Sequence, residues 1–196
     1  MLAFSAALLL SFVPAWLYAY IVYWFDRFER EPKKLLFVVF LWGAFVATIG
    51  AVIAEWILGE SVLALTQDES LADLATTSFF APLVEESLKG IAILLVAWVF
   101  RSEFDTLLDG IVYAGIVALG FAATENVFYL FGGYDEKGWG FFFALFFLRV
   151  ILTGWNHAAF TAFTGIGIAY ARLNKNVLIR VGAPFAGWTL AVVLHG

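Results

Sequence analysis

Long apolar runs separated by short polar breaks dominate the chain. By hydropathy the runs fall at about 2 to 25, 35 to 58, 79 to 100, 106 to 131, 141 to 170 and 177 to 195, and each suits a helix crossing a hydrocarbon layer roughly 30 Å thick. Unbroken stretches such as Ile91 to Phe100 lack the alternation of a porin-like strand. The pattern predicts an all-α, polytopic transmembrane helical bundle of about six spans. The first run has no charge before Asp26 and no basic leader, and it outlasts the apolar region of a signal peptide, so it is expected to be a retained helix. Between the second and third runs, Gly59 to Ser78 mixes Glu60, Asp68, Glu69 and Asp73 with apolar residues. A solvated loop is the simpler reading there, and a short interfacial helix is the alternative. With no internal repeat, low-complexity tract or linker, residues 1–196 are expected to form a single membrane-embedded domain.

Composition removes whole classes. The 196 residues are 63% hydrophobic and 14% charged, where a soluble domain runs at about 45 to 50% apolar and 25% charged. A net charge of -5 argues against nucleic acid as a partner. The absence of cysteine excludes disulfides, thiolate nucleophiles and cysteine-ligated clusters, so any metal would sit on His, Glu, Asp or Asn. Charge placement predicts orientation. The first loop carries Arg27, Arg30, Lys33 and Lys34, whereas Gly59 to Ser78 has no basic residue; Arg101, Arg172 and Lys175 fall in the later loops of the same side, against Lys137 alone on the other. That bias makes the first loop cytoplasmic and puts the amino terminus outside.

A charged side chain in a bilayer core costs about 2.5 kcal/mol or more, so those that persist there need a partner or a task. Glu85, Glu86 and Lys89 lie in the third run, Asp109 and Glu125 in the fourth and His157 in the fifth, with Arg149 and His195 as further candidates. The i, i+4 spacing pairs Glu85 with Lys89 and leaves Glu86 about 100° around the helix, an unequal pair suited to acid/base work. A self-neutralising ion pair is the alternative. Glu125 follows Gly115, Ala118 and Ala122, a small-residue stripe that turns it inward. Asp109 reads as a helix-start acid. Arg149, Thr153, His157, Thr161 and Gly165 recur every four residues, and His195 is preceded at the same step by Ala191, Gly187 and Ala183. Helix rise puts Glu85 roughly 7 Å and Glu125 about 10 Å outward of their span midpoints. These carboxylates and imidazoles therefore predict a water-activating site in the outer half of the bundle, with or without a metal.

Taken in order, Glu85-Glu86-x-x-Lys89, Phe104-Asp105 to Asp109-Gly110-x-x-Tyr113, Gly120-Phe121-Ala122-Ala123-Thr124-Glu125-Asn126, His157 with Thr161 and Gly165, and His195 resemble the PrsW family of intramembrane proteases, relatives of the type II CAAX prenyl proteases. The likeness runs from about Pro82 onward, and the active-site-bearing part is expected over about 79 to 196. It implies a metallopeptidase of a bacterial or archaeal cell membrane that cuts a single-pass membrane protein such as an anti-sigma factor. By that likeness Glu85 and Glu86 match the essential glutamate pair, and Glu125, His157 and His195 the other polar active-site positions. Glu125, His157 and His195 are the expected ligands of zinc or another divalent ion. The family pattern carries an Asn or similar group one turn beyond the last histidine, where this sequence ends at Gly196. A proton-coupled carrier, a scaffold and a cytoplasm-facing CAAX-type enzyme are the competing readings. Neither broken helices nor an inverted repeat favours transport, and the loop charges disfavour a cytoplasmic site.

Overall fold

A computed structural model of the chain describes residues 1–26 and 30–196. Arg27, one of the basic residues used above for orientation, lies outside the described residues. The described residues form helices: α1 (Leu2–Phe25), α2 (Lys33–Thr66), α3 (Glu69–Ala75), α4 (Ala81–Val99), α5 (Leu107–Leu145), α6 (Asn156–Leu173) and α7 (Val177–His195). Wider π-helical turns interrupt α2 at Trp42–Ala47, join α3 to α4 at Thr76–Phe80, and lead from α5 towards α6 at Phe146–Leu152.

Among the described residues, four stretches are long and apolar enough to cross a membrane: Leu2–Phe25, Lys33–Thr66, Leu107–Leu173 and Val177–His195. The six predicted from hydropathy differ from these four at two places, for physical reasons. Helix α4 contains Glu85, Glu86 and Lys89, which lower its hydropathy. The 67-residue stretch from Leu107 is folded on itself at Gly138, whose φ of 72° and ψ of -164° suit a residue without a β-carbon. Beyond Gly138 the chain returns antiparallel: Phe142 joins Leu130 and Val127 in one apolar cluster, Arg149 reaches Glu125, and Gly165 meets Gly110.

The first limb of α5 is the axis of the bundle and packs against α1, α2, α4 and α6. Residues Val112 to Ala123 are all buried, as expected for a helix apolar on every side. Small residues set its contact distances. A β-carbon at Gly110 would lie 2.4 Å from the Gly165 carbonyl oxygen, so α5 and α6 touch backbone to backbone there. Around this axis the helices expose Leu, Ile, Phe and Trp side chains, as on α4, where Ile91, Leu94, Leu95, Trp98 and Val99 point outward and Glu85, Glu86, Lys89 and Ile93 inward.

Two local expectations change. The Gly59 to Ser78 segment is helical rather than a solvated loop. Helix α2 continues to Thr66, Gln67 turns the chain at φ 55°, and the Asp68 carboxylate accepts the Leu71 N–H at 3.1 Å to start α3. The fifth predicted run is not one helix. After the π-helical turn the chain breaks at Thr153–Trp155 and restarts at Asn156, with the Thr153 hydroxyl donating to the Leu148 carbonyl at 3.0 Å.

Candidate active site

Helix α4 aims its three charged side chains at α5, α6 and α7. The Lys89 ammonium has three N–H donors and three acceptors around it: Glu86 Oε1 at 2.8 Å, Glu85 Oε2 at 3.2 Å and His157 Nδ1 at 3.5 Å. It also lies over the Phe121 ring, 4.1 Å from the centroid. Glu86 is fully buried and saturated, since Oε1 also accepts from His195 Nδ1 at 3.1 Å and Oε2 from the Thr161 hydroxyl at 2.8 Å. Glu85 differs: it lines an open cavity, and one of its oxygens, Oε2, contacts Lys89 and stands 3.7 Å from His195 Nε2. The adjacent acids therefore sit in unequal surroundings, because 100° of helix turn separates the interior from the cavity wall.

Each imidazole is held by one carboxylate. His195 gives Nδ1–H to Glu86, leaving Nε2 on the Glu85 side. His157 Nε2 meets Glu125 Oε2 at 3.1 Å, leaving Nδ1 towards Lys89. Such pairs fix the tautomer and ring orientation. The rings meet edge to face with centroids 4.8 Å apart, and Phe160 stacks on His195. Glu125 is itself fixed by Arg149 Nη2 at 2.8 Å, while Arg149 Nε donates to Asn126 Oδ1 at 3.0 Å and its guanidinium covers the Tyr129 ring.

Glu85, Glu86, Glu125, His157 and His195 thus form one connected cluster, although they come from four helices. Asp109 does not join it. It closes a capping box with Thr106 at the start of α5, the helix-start role expected for it. The cluster borders a cavity of about 790 Å³ lined by Glu85, Glu125, Arg149, His157 and His195, and also by Glu55 of α2. Glu55 was missed in the sequence. The available signal was an acid inside the second apolar run, four residues after Ala51 and seven after Thr48, both buried.

A second polar group lies about twelve residues, or roughly 18 Å, down α5. Tyr113 donates a short hydrogen bond to Glu31 Oε2, and the Glu31 backbone N–H donates to Asp26 Oδ2 at 2.9 Å. Glu31 lies in the link between α1 and α2, where burial pushes its carboxyl up to about 8; the Tyr113 hydrogen bond opposes this, and Asp109, Asp26 and Glu103 add to it.

The donor set suits a divalent metal. One ligand atom each from Glu85, His157 and His195 lies within 4.8 Å of the others, with Glu85 in the place expected for Glu125, whose Oε2 is engaged by Arg149 and His157; a carboxylate with two imidazoles is a borderline-ion set. Charge points the same way: Glu55, Glu85 and Glu125 line the cavity with Arg149, and the neighbouring Glu86 pairs with Lys89.

Residues 31–196 match a family described as PrsW family intramembrane metalloprotease. The chain is 30% identical to the protein named Protease PrsW of Clostridioides difficile (strain 630) over 172 residues, covering 87% of this chain and 68% of that protein. It is 28% identical to the protein of that name from Bacillus subtilis (strain 168) over 176 residues, covering 87% and 71%. No solved structure matches it.

Proposed function

We propose that this chain, which belongs to the PrsW family of intramembrane metalloproteases, uses Glu85 to activate the water that attacks a peptide bond of a membrane-anchored protein, such as an anti-sigma factor. The single observation that carries the assignment is the Glu85, His157 and His195 set beside a cavity of about 790 Å³. Glu85 is the base because its carboxylate borders the cavity, whereas every oxygen of Glu86 is already engaged. Glu86 and Glu125 are positioning residues: the first orients His195, the second His157. His157, His195 and one oxygen of Glu85 would hold a zinc or similar ion, leaving the other Glu85 oxygen to take the water's proton; when bound, the ion supplies Lewis-acid polarisation of the scissile carbonyl and of water. Arg149 holds Glu125 beside His157, and Lys89 holds Glu86 beside His195.

The chain is an integral membrane protein and, in this reading, crosses the membrane about six times with α4 as the third span and the reversal at Gly138 dividing the fourth from the fifth. The amino terminus is outside and the cavity opens outward. No lysine or arginine occurs between Lys34 and Lys89, which supports an outer location for α3. The test is incubation of the purified chain in lipid vesicles with single-pass substrates bearing outer segments. Cleavage lost to a chelator and restored by zinc is the expected result; cleavage indifferent to chelation would remove the metal from the proposal.

A further inference from the structure

At the end of the bundle remote from this cluster, α4, α6 and α7 enclose a groove of about 620 Å³. Three guanidiniums converge on it from distant points in the sequence: Arg101 just beyond α4, Arg172 in the last turn of α6 and Arg180 in the first turn of α7. Arg172 donates to the Ala97 carbonyl at 2.8 Å and the Arg101 carbonyl at 2.6 Å, and Arg101 Nε donates to the Trp98 carbonyl at 3.2 Å. All three bonds go to backbone oxygens and spend no charge. Among the described residues the Arg180 side chain makes no hydrogen bond or ion pair. One carboxylate, Asp105, also lines the groove, and it forms no ion pair with the arginines among the described residues.

Among the described residues, three cations against one anion in the groove lining leave an excess of positive charge, and two of the cations are already oriented by the backbone. Guanidinium forks match phosphate oxygens in geometry as well as in charge. The remaining wall is apolar, with Leu94, Ile168 and Pro184, and Trp98 at its edge is 68% exposed. A tryptophan so exposed at the end of a membrane helix sits at headgroup level. We propose that this groove binds an anionic phospholipid, its phosphodiester held by Arg101, Arg172 and Arg180 and its acyl chain lying along the apolar wall beside Trp98. A soluble anion would have no use for that wall, and basic pockets between spans at the cytoplasmic face suit anionic headgroups.

The test uses the full chain in vesicles of phosphatidylcholine and phosphatidylglycerol at equal mole fraction, with bromines on the acyl chains of one lipid at a time. Quenching of Trp98 is taken as the difference between the wild type and Trp98→Phe. Brominated phosphatidylglycerol is expected to quench Trp98 with about fivefold or greater preference over brominated phosphatidylcholine, and Arg180→Gln to lower that preference by about fivefold. Arg180→Gln breaks no hydrogen bond or ion pair among the described residues, so an unchanged melting temperature should accompany the loss. Equal quenching by the two lipids, or a preference that survives Arg180→Gln, would overturn the proposal. Abolition of the preference by millimolar inorganic phosphate or by an acidic peptide would overturn it too, in favour of a soluble anion.

Discussion

Replacing each of the adjacent glutamates by glutamine should separate stability from chemistry. Glu86 accepts from Lys89, His195 and Thr161 and has no exposure. Glutamine keeps the size but brings an N–H₂ group against at least one of those donors and strips a buried ammonium of its nearer counter-charge. Breaking a buried ion pair costs about 3 to 5 kcal/mol. Glu85 still stands 3.2 Å from Lys89, so the lower end applies, and about 3 kcal/mol corresponds to a drop of roughly 6 to 12 °C in Tm for a chain of this size. Glu85→Gln weakens the longer Lys89 contact and the 3.7 Å approach to His195, with Glu86 still holding both partners, and should cost about 1 kcal/mol. Its turnover, however, should fall by about 10² to 10⁴, the usual worth of a positioned base. Tryptophan fluorescence melts of the purified variants report stability, since the chain has eight tryptophans. Cleavage of a single-pass substrate in vesicles reports turnover. Equal melting temperatures for the two variants with equal losses of turnover would refute the division of labour, and wild-type turnover in Glu85→Gln would remove Glu85 from the reaction.

Glu31 gives a pH prediction. Its carboxyl is raised from its ordinary 4.5 to about 8 in the folded chain, so between those values the unfolded state ionises while the folded state stays protonated, and stability falls as pH rises by up to about 1.4 kcal/mol per unit. Glu31→Gln should flatten that slope and raise the melting temperature at pH 7.5; a slope identical to the wild type would exclude Glu31 as its source. Gly110→Ala would bring a β-carbon to 2.4 Å from the Gly165 carbonyl oxygen, and such overpacking should cost about 1 to 3 kcal/mol in a thermal melt. An unchanged melt would mean that α5 and α6 separate freely. Because the chain has no cysteine, single cysteines at Asp68 and Lys33 can report topology: an impermeant maleimide added outside intact cells should label the first and spare the second, and the reverse pattern would turn the site to the cytoplasm.

What could be read in advance follows from which interactions lie along one helix. The pairing of Glu85 with Lys89, the inward turn of Glu125 behind Gly115, Ala118 and Ala122, and the capping role of Asp109 all rest on spacings of three or four residues, and the helices carry them as expected. Partners across helices have no such signature. Nothing in the spacing joins Glu86 to Thr161 and His195, or Tyr113 to Glu31, at separations of 75, 109 and 82 residues. Glu55 was missed for a related reason: a lone acid in an apolar run looks like an end-of-helix charge until its neighbours across the cavity are known. The four-residue stripe from Arg149 to His157 led to the right neighbourhood by a wrong path, since the helix breaks between them. Both side chains still reach Glu125 Oε2, at 2.8 and 3.1 Å, because the π-helical turn and the break at Thr153–Trp155 reset the register.

That reset has a consequence for how the site is kept. Neither imidazole is oriented by its own helix: His157 of α6 depends on Glu125 of α5, and His195 of α7 depends on Glu86 of α4. A shift of α6 along α5 by one residue would move His157 by about 1.5 Å and turn it by 100°, enough to lose a 3.1 Å contact. The backbone meeting of Gly110 with Gly165, two turns of α6 beyond His157, prevents that shift without any polar bond, because neither chain can slide until a carbonyl oxygen clears the opposite helix. The glycine contact near one end of the bundle and the carboxylate–imidazole pairs near the other are therefore parts of one arrangement. For that reason Gly110→Ala should reduce turnover as well as the melting temperature, even though it lies far from Glu85.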